Sequence, residues 1–225
     1  MMDLFKIKIR FSLAKLLRRY GKHSFVNSLG TAPNILDIGC GNSSVLGVKS
    51  IRPDCSYTGI DIQDYNQTEF SLKMIDNYIK TSPEDFAQTI EDLKKEYDAV
   101  ISSHNLEHTY EPEKVLVSML NRIKKGGSIY LSFPSSKSVN FPSRIGTLNY
   151  YDDSTHLNEP PDFEEILKVI ENKGFTIDIA IKEYSPLILF LLGFLLEPLS
   201  LFSGKVMPGI WEYYGFESII HASRK

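Results

Sequence analysis

The strongest constraint on this chain is its alternation of short apolar runs with longer helical stretches. Residues 34–38 (NILDI), 57–62 (YTGIDI), 97–102 (YDAVIS) and 128–133 (SIYLSF) read as buried strands, with 77–80 (NYIK) a weaker one. Between them lie predicted helices. Ser82-Pro83-Glu84-Asp85 signals one start, with Ser82 as N-cap and Pro83 at the first helical position. Pro112 opens another over 113–124, and a third over 162–173 closes at Gly174. Strands at 175–180 and 216–222 finish the chain. Strands and helices alternating in this way predict an α/β fold, doubly wound around a mostly parallel sheet with helices on both faces.

Two segments interrupt the alternation. Residues 134–161 form a long polar and aromatic loop after the fifth strand, where open α/β sheets bind ligands, so they read as a lid. Residues 184–215 are an insertion whose core, 187–196 (LILFLLGFLL), is continuously apolar. Ten residues are about half of a membrane span, which predicts a buried or interfacial helix.

Charge is divided unevenly. The net charge is −3, yet residues 1–25 carry seven Lys or Arg against Asp3 alone. These basic residues interleave with apolar ones, which makes an unconvincing signal peptide and predicts a basic amphipathic helix, solvated or docked on anionic lipid. Residues 26–225 then make one domain. Two cysteines exclude a disulfide framework and favour a cytoplasmic location. Nothing in the charge pattern points to nucleic acid.

Asp37-Ile38-Gly39-Cys40-Gly41 lies where the first strand turns into its helix. Two glycines there let backbone approach a ligand closely. Asp61, at the end of the second strand, can accept hydrogen bonds from both hydroxyls of a ribose. Together they point to an adenosine-containing cofactor. A dinucleotide fingerprint wants glycine or alanine where this chain has Ser44, and Asp37 would repel a pyrophosphate. Those two residues favour a cationic amino-acid nucleoside over NAD.

These residues carry a resemblance. ILDIGCG (35–41), GIDI (59–62), YDAVISSHNLEH (97–108) and RIKKGGSIYLSFP (122–134) are similar to class I S-adenosylmethionine-dependent methyltransferases, including the ubiquinone-biosynthesis O-methyltransferases. His156-Leu157 and ENKGFTID (171–178) extend the likeness. It implies a seven-stranded sheet with an antiparallel last strand and S-adenosylmethionine as cofactor. It implies that Gly39, Cys40 and Gly41 pass beneath the methionine part and ribose, Asp37 holds the amino group, Asp61 the ribose and Ile62 the adenine. Ser82, Pro83 and Glu84 stand where the family binds the adenine edge, usually with an Asp that is absent here. Ser103 and Asn105, after the fourth strand, complete the cofactor set.

His104-Asn105-Leu106-Glu107-His108 spells the inverted zinc-protease motif, but it follows a strand directly rather than lying on a helix, so that reading is set aside. The resemblance instead places Glu107 and His108 where ubiquinone-pathway enzymes hold a divalent metal; no metal is assigned here. An alcohol nucleophile benefits from a base near neutral pH, and His108 and His156 are the candidates. Tyr150, Tyr151 and Phe141 are candidates for a substrate wall.

The expectation is therefore methyl transfer to a small or lipid-linked acceptor, at oxygen, by a cytoplasmic enzyme peripheral at the inner membrane face. Residues 184–215 would cap the pocket, touch the membrane or form a homodimer interface. The alternatives are an NAD- or nucleotide-sugar-dependent oxidoreductase and a catalytically silent S-adenosylmethionine-binding subunit.

Overall fold

The computed structural model describes Phe11 and residues 16–225. Most of the predicted basic head, 1–25, thus lies outside the described residues. Its end is helical: α1 (Lys22–Ser28) takes in residues 22–25 of the predicted helix, runs three residues beyond it, and buries Phe25 and Val26. There follow β1 (Asn34–Ile38), α2 (Ser44–Ile51), β2 (Ser56–Asp61), α3 (Glu69–Met74), β3 (Asn77–Lys80), α4 (Phe86–Glu91), β4 (Tyr97–Ser103) and α5 (Pro112–Asn121). Then come β5 (Ile123–Pro134), α6 (Phe163–Asn172), β6 (Phe175–Ile181), α7 (Leu187–Ser203), α8 (Ile210–Tyr214) and β7 (Glu217–Arg224).

The seven strands form one sheet in the order β3-β2-β1-β4-β5-β7-β6. β7 runs antiparallel to both of its neighbours, and the remaining pairings are parallel. The expected doubly wound sheet with an antiparallel last strand is what forms. Strand order reverses between β1 and β4, so their carboxyl ends open the crevice where such sheets take ligands.

The strands are apolar because both faces are covered. On one face Phe86, Ile90, Val115, Leu116, Met119, Ile166 and Ile170 from α4, α5 and α6 pack on Leu36, Val100, Leu131 and Ile220. On the other, Phe25, Val26, Val45 and Val48 from α1 and α2 pack on Ile35, Tyr57, Ile101 and Tyr130. α1 comes close to α2 at Gly47, where a Cβ would lie 2.6 Å from His23 Nε2.

Two helix boundaries depart from the sequence reading for reasons the packing shows, and β5 begins at Ile123 rather than 128. The helix expected from Ser82 starts at Phe86, with Asp85 as N-cap and Pro83 outside it. The Ser82 hydroxyl accepts from the Asp85 N–H (3.2 Å) and donates to Asp85 Oδ2 (2.9 Å), closing a local turn that competes with the helix. α5 stops at Asn121 rather than 124 because Ile123 already pairs with Tyr97 in the sheet.

The lid, 134–161, is folded upon itself. Asp152 Oδ2 accepts from the backbone N–H groups of Arg144, Leu148 and Asn149 at 2.9–3.1 Å. The insertion between β6 and β7 is α7 followed by α8, and it shares a small core with the lid built on Leu148, Ile210 and Phe216. Among the described residues, no helix is long and apolar enough to cross a membrane.

Candidate functional site

β1 delivers Asp37 to the mouth of the crevice with its side chain buried. Oδ2 accepts hydrogen bonds from Ser44 Oγ and Tyr57 OH, each 2.6 Å away, while Oδ1 has no partner. Burial pushes this carboxyl above the usual carboxylate range against the opposing pull of Lys22, Ser44 and Tyr57. A buried acid with one oxygen unmet suits a cationic ligand. Ser44, which broke the dinucleotide pattern, is thus the residue that holds Asp37.

Gly39 has φ +72°, and a Cβ there would lie 2.4 Å from Asn105 Oδ1. Only glycine lets the loop after β4 lie directly against the turn after β1. Asn42 and Ser43 continue the turn at φ +52° and +55°, the left-handed region that favours glycine. Asn105 is buried, and its Nδ2 is unpartnered. Cys40 contributes backbone: its carbonyl accepts from Gln67 Nε2 (2.9 Å), while its side chain is buried against Gly59.

At the next strand end, Asp61 is 8% exposed, and its Oδ1 accepts from the Ile62 N–H (2.8 Å). Burial raises its pKa. Ile62 beside it is exposed. A Cβ on Gly41 would lie 3.3 Å from Asp61 Oδ2 and 3.2 Å from the Tyr65 carbonyl, so the acid, the glycine turn and the 62–68 loop converge. Tyr65, Asn66 and Gln67 were not flagged from sequence because they lie in an irregular polar loop. Ser82, Pro83 and Glu84 sit just past β3, joined to this edge by the bond from Thr81 N–H to the Asp61 carbonyl (3.1 Å). Ser103, at the end of β4, shares a 2.9 Å hydrogen bond with Ser132. It lines a cavity of about 100 Å³ with Arg18, Lys22, Tyr130 and Glu217.

The second cluster joins the β4 loop to the lid. The His108 and His156 rings lie 4.8 Å apart. His156 Nδ1 is 2.7 Å from the Tyr150 carbonyl, which can only accept, so Nδ1 carries the proton and Nε2 of the neutral ring is the acceptor. Burial lowers the His156 pKa below its ordinary value. Glu107 is 1% exposed, and neither of its oxygens accepts a hydrogen bond. Ligand atoms of Glu107, His108 and His156 all lie within 4.8 Å of one another, a spacing that could hold a cation. Residues 106–108 form a single 3-10 turn, unlike the helix that a zinc-protease motif requires. Of the proposed wall, Tyr150 is buried against His156 and Phe141 packs on Tyr214, leaving Tyr151 exposed.

Sequence reasoning missed the charged group beside this cluster. His104 (φ +51°) places Nε2 3.2 Å from Glu217 and Nδ1 3.4 Å from Glu107, and Arg18 pairs with Glu217. Burial pulls the His104 pKa down, but the two carboxylates outweigh it and raise it to about 9. Burial would raise Glu217, yet Arg18 and His104 hold it at about 2. The one signal in the sequence was an acid at the start of an apolar strand.

A family model described as a methyltransferase domain matches residues 8–178. A ubiquinone biosynthesis O-methyltransferase from Hydrogenovibrio crunogenus is 34% identical over 103 residues, which are 44% of this chain and 41% of that protein. One from Rickettsia bellii is 28% identical over 134 residues, 56% of this chain and 49% of the relative. The chain therefore spans less than half the length of these relatives. Among solved structures, a SAM-dependent methyltransferase from Archaeoglobus fulgidus superposes with TM-score 0.53 at 20% identity, covering 96% of this chain and 99% of that one. The N-methyltransferase NodS from Bradyrhizobium japonicum, crystallised with S-adenosyl-L-homocysteine, gives 0.53 at 12% identity over 90% and 85%. At such identities the structures speak for a shared fold.

Proposed function

Because the chain belongs to the methyltransferase-domain family, the class I S-adenosylmethionine-dependent group, we propose that it methylates a hydroxyl of a small or lipid-linked acceptor. The observation that carries this reading is Asp37: a buried carboxylate with an unpartnered oxygen, at the glycine turn and on the same edge as Asp61. Those two acceptors suit an ammonium at one end and the hydroxyls of a ribose at the other. Bound there, S-adenosylmethionine supplies a sulfonium methyl already activated for displacement. The chain's part is to align the acceptor and exclude water.

His156 fits the base. Its Nε2 can accept the acceptor's proton, the Tyr150 carbonyl fixes the tautomer, and its lowered pKa keeps it neutral at pH 7. His108 stands beside it with Nδ1 3.1 Å from the Thr155 carbonyl. Oxygen as the methylated atom is supported by the relatives' names, and a lipid-linked acceptor by the apolar insertion next to the lid. On this reading the protein works in the cytoplasm, peripheral at the inner membrane face. A second reading has its own support: Glu107 is buried with no hydrogen bond closer than the 3.4 Å approach of His104, so a divalent cation held by Glu107, His108 and His156 would polarise the acceptor oxygen instead. A chelator then abolishes turnover, whereas a base mechanism is insensitive to it.

Thermal-shift titration tests the cofactor. Stabilisation by S-adenosylmethionine and S-adenosylhomocysteine but not NAD is expected, and Asp61→Ala should lose most of it. Stabilisation by NAD alone would overturn the assignment. Methyl transfer by the purified chain excludes a silent subunit. His156→Gln should lower kcat by about 100-fold or more while leaving S-adenosylhomocysteine binding intact.

A further inference from the structure

α7 presents an apolar surface that is exposed among the described residues. Leu187, Leu191, Leu195, Leu199 and Phe202 are 70, 49, 71, 57 and 93% exposed. At about 100° per residue, the exposed apolar positions from Leu201 on one flank to Leu192 on the other cover roughly half the helix circumference. No charged side chain lies on that arc. The one charge of α7, Glu197, turns inward, where Arg144 of the lid grips both carboxylate oxygens at 2.6 Å and Tyr214 OH donates to Oε1 at 2.6 Å.

We infer that this half-cylinder seats the protein on an anionic lipid surface, with α7 lying in the interface plane. The width of the face selects the occupant. A partner helix covers a narrow stripe and leaves the flanks wet, whereas a helix at the headgroup boundary immerses about half of its surface. In an isolated interfacial helix the other half is polar. Here it is fastened to the protein, with Gly193 directly against Gly209, Arg144 on Glu197, and Ile145 bridged to the segment after Gly204. Ile145, itself 72% exposed, carries the apolar surface onto the lid.

Charge agrees with the assignment. Lys205 is exposed just beyond the Gly204 cap. Arg18, within the basic stretch of the sequence, lies 3.6 Å from Glu212 of α8 and over the ring of Tyr184, three residues before α7. The chain thus carries both a basic stretch in its sequence and an apolar ridge on α7, the two components that together hold a protein on anionic lipid. The lid that carries His156 is fastened to the same helix. The inference deepens the lipid-linked acceptor reading and rests on it for purpose alone, because docking is measured without any acceptor.

Co-sedimentation of the full chain at low salt, with phosphatidylcholine vesicles containing or lacking phosphatidylglycerol, tests it. The wild type should pellet with the anionic vesicles, and Leu195→Glu/Phe202→Glu should lower the bound fraction at least tenfold. Both changes are at exposed positions, so the melting temperature and the S-adenosylhomocysteine shift should stay unchanged. A wild type that remains in the supernatant, or a double variant that pellets equally, overturns the proposal. So does a dimer in solution that the double variant dissociates without vesicle binding, since a second copy then occupies the face. Loss of the S-adenosylhomocysteine shift with vesicle binding intact would sink the methyltransferase reading and leave the docking surface standing.

Discussion

The two oxygens of the Asp37 carboxylate are in different states. Two hydroxyl donors hold one of its oxygens, burial raises its pKa, and the other oxygen has no partner. A cation arriving at that oxygen would gain a charge-assisted hydrogen bond worth about 1.5–3 kcal/mol, or roughly 10–150-fold in affinity. Asp37→Asn should therefore weaken S-adenosylmethionine and S-adenosylhomocysteine by about that factor, measured by calorimetry. The ligand-free melting temperature should not fall, because the carboxylate's charge is a cost without its ligand. An unchanged affinity would show that Asp37 serves the turn and not the cofactor. The motif itself was legible in sequence, whereas the roles of Ser44 and Tyr57 were not, since they reach Asp37 only once the strands pair.

At the scale of elements, the insertion shows most clearly what depends on packing. Its apolar run marks a helix, but the run ends at 196 and α7 continues to Ser203 through Glu197-Pro198. Arg144 accounts for this continuation by neutralising Glu197 from a lid segment 53 residues away. Gly193 decides how closely α7 and α8 cross, for a Cβ there would meet the Gly209 carbonyl at 2.0 Å. Gly193→Ala should cost about 1–3 kcal/mol through overpacking against backbone. Its effect should appear as faster amide exchange in 187–214, with the sheet protected as before. A full loss of folding would mean that the insertion and sheet unfold as one unit. The displaced start of α4 teaches the same lesson in small: Ser82 carries a capping signal, and a local turn uses it first.

For the whole molecule, the division of charge matters more than its sum. Arg18 at the end of the basic head, Glu212 in the insertion, Glu217 on β7 and His104 after β4 form one partly buried network that ties four distant segments together. Its pH dependence follows from the shifts. The His104 contribution is complete below its ordinary value of 6.5 and is lost as pH rises through about 9. The Glu217 contribution is present above 4.5 and is lost as pH falls through about 2. The melting temperature should thus decline between pH 7 and 9.5, and His104→Gln should flatten that decline. An equal slope in the variant would place the loss elsewhere.

The sequence by itself determined the doubly wound sheet and the glycine turn with its two acids. Those features depend on period and on neighbours along the chain: strands buried on both faces read as continuous apolar runs, and a βα turn carries its own glycines. Tertiary structure alone decided that Asp37 keeps an unmet oxygen, that His156 offers Nε2, that His104 is held charged, and that α7 leaves half its surface bare. Each of these depends on how the folded chain sets a partner against the residue, whether Tyr150 six residues from His156 or Glu217 more than a hundred from His104. Burial and pairing energies belong to the assembled environment, and no local pattern encodes them.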